Sequence, residues 1–305
     1  MEPRGGSFGR NVLFDAMLQP TQDSETAERI AKTIQPLVSQ ALGDGRESKS
    51  LLANFLHGTW LGHPLHPVLT DVPIGAWMSA ALLDCVAMVT KSERMLPAAD
   101  FCVDAGVVSA LVTAAAGLAD WSQTYGRPAR VGVIHATFNL LATTFYASAS
   151  LTRRRNRRLG TLYSFTGFGL AMLGAGLGGH LVFSEQIGVN HAAAEEMPMQ
   201  FEAVMRFDDL PENDPHTVQY GGRDVMLLRR GSTVNALLNT CAHLGGPLCE
   251  GTIDADSVRC PWHGSRFRLS DGLLLDGPAT VNQPTFDVRV RDGNVELRSA
   301  SASLP

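Results

Sequence analysis

Charge is scarce along this chain. Asp, Glu, Lys and Arg make up 18% of 305 residues against 45% apolar ones, and the acidic excess leaves a formal net charge of −5. No contiguous basic and aromatic stretch is present to track a phosphate backbone, so nucleic acid is not an expected partner. Cysteine is also sparse. Five residues, Cys85, Cys102, Cys241, Cys249 and Cys260, are an odd and scattered set, unlike the disulfide framework of a small secreted domain. Cys85, Cys102 and Cys249 read as small buried hydrophobes. No basic n-region followed by an apolar core and a small-residue cleavage site opens the chain, so the N-terminus is expected to be retained. A mean hydropathy of +0.02 is what a membrane half averaged with a water-soluble half would give.

What is present is apolar sequence in four long runs: Val72 to Thr90, Phe101 to Ala119, Val131 to Leu151 and Leu162 to Phe183. Each is about 20 residues, enough to cross a hydrocarbon layer of about 30 Å as helix. Asp84 and Asp104 are the main charges inside them, whereas long helices of a soluble bundle usually keep a charged face. Ala, Gly, Ser and Thr abound, including Gly174 and Gly178 as a small-xxx-small pair, which suits close helix packing in lipid. Ahead of these runs, residues 1–50 read as a polar tail with one amphipathic helix. In it Ile30, Ile34, Leu37, Val38, Ala41 and Leu42 recur at helical spacing before Gly43 and Gly45 end it.

Lys and Arg near the span ends divide unevenly. Lys91, Arg94, Arg153, Arg154, Arg155, Arg157 and Arg158 flank one side, against Lys49, Arg127 and Arg130 on the other. The bias places the first and third connections in the cytoplasm. Both termini are then expected outside it, in a bacterial inner-membrane protein with four spans. By parity the N-terminal tail, the second connection and everything after the fourth span share one face. His63, His66, His135 and His180 fall at that face, one helical turn deep or less, with Asp71 and Asp120. Ionisable groups at membrane depth are costly and point to function, so these histidines are candidate ligands for haem b, a quinone or a metal. The bland alternative is interfacial hydrogen bonding, with Gly62-His63-Pro64-Leu65-His66-Pro67 as a rigid turn.

After Phe183 the composition changes. A polar, Ala- and Glu-containing linker over 184–200 leads to short period-two segments such as Phe286-Asp287-Val288-Arg289-Val290. These are separated by turn dipeptides at Gly221-Gly222, Asp271-Gly272, Asp276-Gly277 and Asp292-Gly293, the pattern of a small antiparallel β domain over 201–305. If flexible, the linker reaches roughly 20–25 Å, keeping that domain near the membrane face. Within it stand Cys241-Ala242-His243-Leu244-Gly245-Gly246 and Cys260-Pro261-Trp262-His263-Gly264-Ser265. Two thiolates and two imidazoles suit either zinc or a mixed-ligand iron–sulfur centre. The Cys-x-His and Cys-x-x-His hairpins differ from the helix-borne His pair of zinc fingers. Their glycines would let the two loops clasp a flat Fe₂S₂ rhomb, with both histidines exposed at the tip.

These two loops resemble the Rieske family, and the Cys-Pro-Trp-His-Gly run looks most like its ferredoxin-type members. The resemblance covers roughly residues 200–300. It implies a [2Fe–2S] cluster held by Cys241 and Cys260 on one iron and by His243 and His263 on the other. High-potential Rieske proteins carry an extra cysteine in each loop, forming a disulfide; here those positions hold Gly246 and Trp262. Ser265 matches their serine that hydrogen-bonds a bridging sulfide, and Phe267 replaces the second donor, a tyrosine. The resemblance therefore implies a potential toward the ferredoxin end and puts bc-type quinol oxidation in doubt. Leu61 to Pro67, Asp71-Val72-Pro73-Ile74-Gly75 and Gly178-Gly179-His180-Leu181 resemble a bacterial family of four-span membrane domains of unknown function, over about 45–190.

The expected architecture is multidomain: an all-α four-helix transmembrane bundle over 51–183, then a small all-β Rieske domain. The expected activity is one-electron transfer between a redox partner protein or quinone and whatever the bundle binds, with the bilayer as a further partner. Supply of electrons to a separate oxygenase, and redox sensing, are the alternatives. A self-contained oxygenase is disfavoured because only about 40 residues follow His263, too few for a mononuclear iron domain.

Overall fold

The computed structural model describes residues 24–193 and 197–300; the polar tail ahead of Ser24, part of the expected linker and the last five residues lie outside them. Among the described residues, six α-helices fill the first half: α1 Glu25–Leu42, α2 Leu51–His57, α3 Leu65–Thr90, α4 Leu96–Ser122, α5 Gly126–Arg153 and α6 Arg157–Phe183. The second half holds, among the described residues, ten strands: β1 Glu202–Arg206, β2 His216–Tyr220, β3 Arg223–Arg230, β4 Thr233–Leu238, β5 Thr252–Asp254, β6 Ser257–Arg259, β7 Arg266–Arg268, β8 Leu274–Asp276, β9 Phe286–Arg291 and β10 Asn294–Ser299. The chain divides into two compact units, and it does so discontinuously. The described residues up to Val38 and Pro67–Ile187 make the helical unit, while Ser39–His66 join the described residues from Gly188 onward in the β unit.

In the helical unit, α3, α6 and the stretch Glu93–Ser122, which is α4 with the 3₁₀ turn before it, are long and apolar enough to cross a membrane. Helix α5 has the length but a lower mean hydropathy, since Asn139, Thr143, Thr144 and Ser148 interrupt it. Large apolar side chains including Leu82, Val89, Phe101, Val108 and Leu140 face outward. Such an apolar surface is costly in water and suited to lipid. Small residues build the inside. Gly160, Ser164, Gly167, Ala171 and Gly174 form one buried stripe of α6, recurring at the 3–4 spacing of knobs-into-holes packing. Side chains of α5 seat on it: Arg153 on Gly160, Tyr146 on Gly167, Asn139 on Gly174 and His135 on Gly178. A Cβ at Gly167 would lie 2.8 Å from the Tyr146 ring. Gly174 and Gly178 are thus each covered by a side chain of the neighbouring helix, whereas a Cβ at Gly179 would meet nothing within 4 Å. Helix α1 forms as its periodicity requires, ending at Gly43 with φ +63. Its buried side, however, is Ala27 and Ala31, with Ile30, Ile34 and Leu37 exposed.

Asp84 and Asp104, the charges inside the spans, are both partnered. Arg153 makes a bidentate pair with Asp84, each about 1% exposed, and reaches Asp100 at 3.1 Å and Ser164. Arg157 also pairs with Asp100, and Ser150 donates to Asp104. Two of the seven arginines and lysines counted toward topology are therefore held inside an ion network.

The β unit holds three antiparallel sheets, ordered β1-β10-β9, β2-β3-β4 and β5-β6-β7-β8. Inward residues Val225, Leu227, Leu237, Leu248, Phe267 and Leu297 are fully buried at its centre, each contributing about 1.5–3 kcal/mol of hydrophobic free energy. Over its described residues 184–193 the expected linker is anchored to its surroundings. The Ser184 and Glu185 amides cap the His180 carbonyl, the His191 amide donates to Ala242 O at 3.1 Å, and Ala192 is buried in the β core. Backbone anchors of this kind leave no mark on composition, which is why the segment reads as free.

Residues 39–66 pack into the same unit. Asn54 accepts from the Gly277 amide at 2.8 Å and donates to Asp276 at 3.2 Å. Buried Asp44 takes His57 Nε2 at 2.9 Å and pairs with buried Lys49. Burial pushes the Asp44 carboxyl up, but His57 and then Lys49 more than offset this and hold it below its ordinary value.

Candidate metal centre

The two sequence-identified loops share one backbone design. In the first, between β4 Thr233–Leu238 and β5 Thr252–Asp254, the Gly245 amide donates to Cys241 O and the Cys241 amide to Gly246 O, both at 2.9 Å. In the second, between β6 Ser257–Arg259 and β7 Arg266–Arg268, Gly264 donates to Cys260 O at 3.1 Å and Cys260 to Ser265 O at 2.8 Å. Each loop is a five-residue turn closed by a glycine at φ +77, a left-handed conformation that L side chains adopt only under strain. This is why glycine stands four residues after each cysteine.

The loops bring all four sequence-predicted donors together. Cys241 and Cys260 are buried and hydrogen-bonded to each other, and His243 Nδ1 lies 3.3 Å from His263 Nδ1. Among the described residues, no three His, Cys, Asp or Glu side chains gather where one ion could sit. The donors converge instead as a sulfur pair and a nitrogen pair. A single tetrahedral zinc would need all four on one point, whereas a two-iron rhomb takes one pair per metal. The donor chemistry therefore fits the cluster.

Electrostatics agree with liganding. The Cys241–Cys260 hydrogen bond lowers Cys260 to about 7 despite burial, with the amides of Trp262 and His263 adding to the effect, while that bond and burial raise Cys241 well above the thiol range. The amides of His243 and Leu244 point at Cys241 Sγ in the same way. Backbone N–H groups aimed at sulfur stabilise thiolate and draw charge from a bound metal. Burial, then the positive potential of His263, His57 and Lys49, holds His243 well below its usual pKa. This direction favours the neutral imidazole that metal binding requires.

The positions that depart from the high-potential pattern acquire structural roles. A Cβ at Gly246 would approach Cys260 Sγ to 2.9 Å and the Trp262 ring to 2.9 Å, so the indole lies where a bracing disulfide would otherwise run. Phe267 is fully buried in the core and offers no donor. Ser265 Oγ accepts from the Ala279 amide at 3.0 Å, leaving its hydroxyl proton to be donated elsewhere. One expectation fails: the two histidines are not both exposed. His263 is 4% exposed, and His243 is half-buried.

Sequence reading missed Gln283 and His191. Gln283 staples the first loop, donating to Leu238 O and Thr240 O at 2.7 Å and accepting from the Ala242 amide at 3.0 Å. It stands about 40 residues from that loop, with no local signal. His191 lies beside Gly245.

The membrane histidines are divided between the two units. His135 Nδ1 is 2.9 Å from Gly174 O, and His180 Nε2 is 3.2 Å from Glu185, which also pairs with Arg127. His63 and His66 belong to the β unit, where the His63 carbonyl rests against Gly58 and His66 is the second residue of α3.

Comparison with known proteins places residues 200–287 in a Rieske [2Fe-2S] domain family and residues 62–191 in a family described as predicted membrane protein (DUF2231). The chain is 36% identical over 75 residues to ferredoxin CarAc of Metapseudomonas resinovorans, covering 25% of this chain and 70% of that protein. It is 32% identical over 95 residues to the 3-phenylpropionate/cinnamic acid dioxygenase ferredoxin subunit of Photorhabdus laumondii, covering 31% and 90%. Human apoptosis-inducing factor 3 is 30% identical over 134 residues, 44% of this chain, but the match spans only 22% of that protein.

Proposed function

Since the chain belongs to the Rieske [2Fe–2S] family and joins that domain to a DUF2231 membrane domain, we propose that it is a membrane-anchored carrier of single electrons, with Cys241, His243, Cys260 and His263 as the cluster ligands. The observation that carries this reading is the convergence of a buried sulfur pair and a facing Nδ1 pair from two like-folded loops. When bound, the cluster supplies one-electron chemistry. The chain's own residues fix the two imidazoles, aim four amides at sulfur and keep water from the thiolates. Purified protein is expected to contain acid-labile sulfide and, after dithionite, a paramagnetic signal averaging below g = 2. Absence of both overturns the assignment.

Four membrane crossings form part of the proposal. Ser39–His66 and the residues from Gly188 fold into one unit, so the chain between them must cross an even number of times. Three apolar helices alone would put the two parts on opposite faces, so α5 is taken as the fourth span. The charge bias puts the β unit outside the cytoplasm of a bacterial inner membrane. Haem b or a quinone at His135 or His180 would give the cluster an acceptor in its own chain. A reduced-minus-oxidised spectrum with a sharp haem α band that His135→Ala abolishes is the expected sign of haem, and a featureless spectrum excludes it.

A second reading, electron supply to a separate oxygenase, is favoured by the likeness to a dioxygenase ferredoxin subunit. In either case buried Phe267, which offers no donor where high-potential members have a tyrosine, supports a potential near the low end. Ser265→Ala is expected to lower it further by about 60 mV, the one-electron equivalent of about 1.4 kcal/mol, the worth of one hydrogen bond to a charged group. Redox titration of the signal measures this.

A further inference from the structure

Residues 39–61 lie outside both matched families, yet they are built into the β unit against the second ligand loop. The Arg46 carbonyl sits so close to Gly264, the residue after His263, that any Cβ there would collide with it. Arg259, which ends the strand leading into Cys260, donates to the same carbonyl at 3.4 Å. Asn54 is bonded to Asp276 and Gly277 at the end of the neighbouring strand, and a Cβ on Gly277 would lie 2.7 Å from Thr59. Inside the segment, Asp44, Lys49 and His57 are buried as a bonded set, so it has its own fixed fold. The two loops also differ at their tips: His263 is 4% exposed and Gly264 and Ser265 are buried, whereas Trp262 is 42% exposed and His243, Leu244 and Gly245 are half-buried above buried Cys241, Ala242 and Gly246.

We infer that residues 43–59 are a built-in cap that closes the His263 side of the centre to protein partners, leaving exchange to the His243 and Trp262 side. Electron transfer needs close approach, and folded chain against Gly264 adds distance there. It makes residues 43–59 the permanent neighbour of the residue after His263, while Lys49 and His57 of the same segment are near enough to His243 to act on it through charge alone. The inference rests on His263 being a cluster ligand, so the paramagnetic signal is recorded first; without that signal the ligand assignment has failed, not the cap.

Two measurements on the loaded full-length protein test it. In the first, diethyl pyrocarbonate is applied and the modified histidines are read by peptide mass spectrometry. His243 is expected to react at least tenfold faster than His263, and equal rates overturn the cap. In the second, reduced protein is oxidised by cytochrome c, a bulky protein oxidant, and by ferricyanide, a small one. Asn54→Ala, which removes both latches, is expected to raise the cytochrome c rate at least tenfold and the ferricyanide rate less than twofold. Asn54→Arg, too bulky for the same space, serves as a second means of opening. Hydrogen exchange over residues 43–59 reports opening. A cap seen to open with no gain in the cytochrome c rate overturns the inference, as does a cap that stays shut in both variants while His263 reacts freely.

Discussion

Replacing Cys260 with serine is expected to abolish the paramagnetic signal and the acid-labile sulfide together, down to background, and His243→Ala to do the same. Each iron of a Rieske pair has only two protein donors, so losing one leaves half of that iron's anchorage. Cys249, the third cysteine of the β unit, provides the control. Its Sγ donates to the Pro215 carbonyl at 3.4 Å, away from the four donors, so Cys249→Ser should leave signal and sulfide intact. Metal binding and folding are linked, so the ligand variants should also unfold at lower temperature than Cys249→Ser. Electron paramagnetic resonance and sulfide analysis on equal amounts of protein decide the matter. A full signal from Cys260→Ser would remove this residue from the ligand set.

The next largest effect is expected deep in the helical unit. Arg153→Met strands the Asp84 carboxylate at a site that is 1% exposed, and breaking a buried pair in this way costs about 3–5 kcal/mol. Asp84→Leu should cost less, because Arg153 keeps Asp100 and Ser164. The double variant Arg153→Met with Asp84→Leu should recover most of the loss, since neither charge is then left alone. Thermal unfolding of the full chain in detergent measures all three. If the double variant is no more stable than Arg153→Met, the two groups are not energetically coupled.

How much of this was legible in the sequence depended on how local each signal was. The ligand loops could be read because each is a contiguous run whose cysteine, histidine and glycine are fixed by one five-residue turn. Helix α1 and the long apolar helices followed from periodicity and length, as did the turn dipeptides of the β unit. Asp84 and Asp104 stood out as charges within spans, but their partners did not. Arg153 sits at a span end, where sequence reasoning counts it as a loop charge rather than as the occupant of Gly160. Gln283 was invisible for a related reason: a side chain that staples a loop about 40 residues away leaves no pattern around itself. Residues 39–50 looked like part of a polar tail because their buried groups, Asp44 and Lys49, are ionisable, and His57 was counted with the membrane domain; only pairing makes the burial of these groups tolerable. Exposure of both histidines was expected from the two loops alone, which carry no trace of what lies over them.

The discontinuous make-up of the β unit imposes an order on its manufacture. Residues 39–66 are synthesised before the helices that follow them, and the strands they pack against are synthesised last. Until the ribosome has passed Gly188 the early segment has nothing to rest on, and the buried pairing of Asp44 with Lys49 and His57 must wait or form unsupported. Iron and sulfide can be enclosed only after the whole apolar stretch between has been made, so a ribosome stalled anywhere within the spans would leave an orphaned segment and no centre at all.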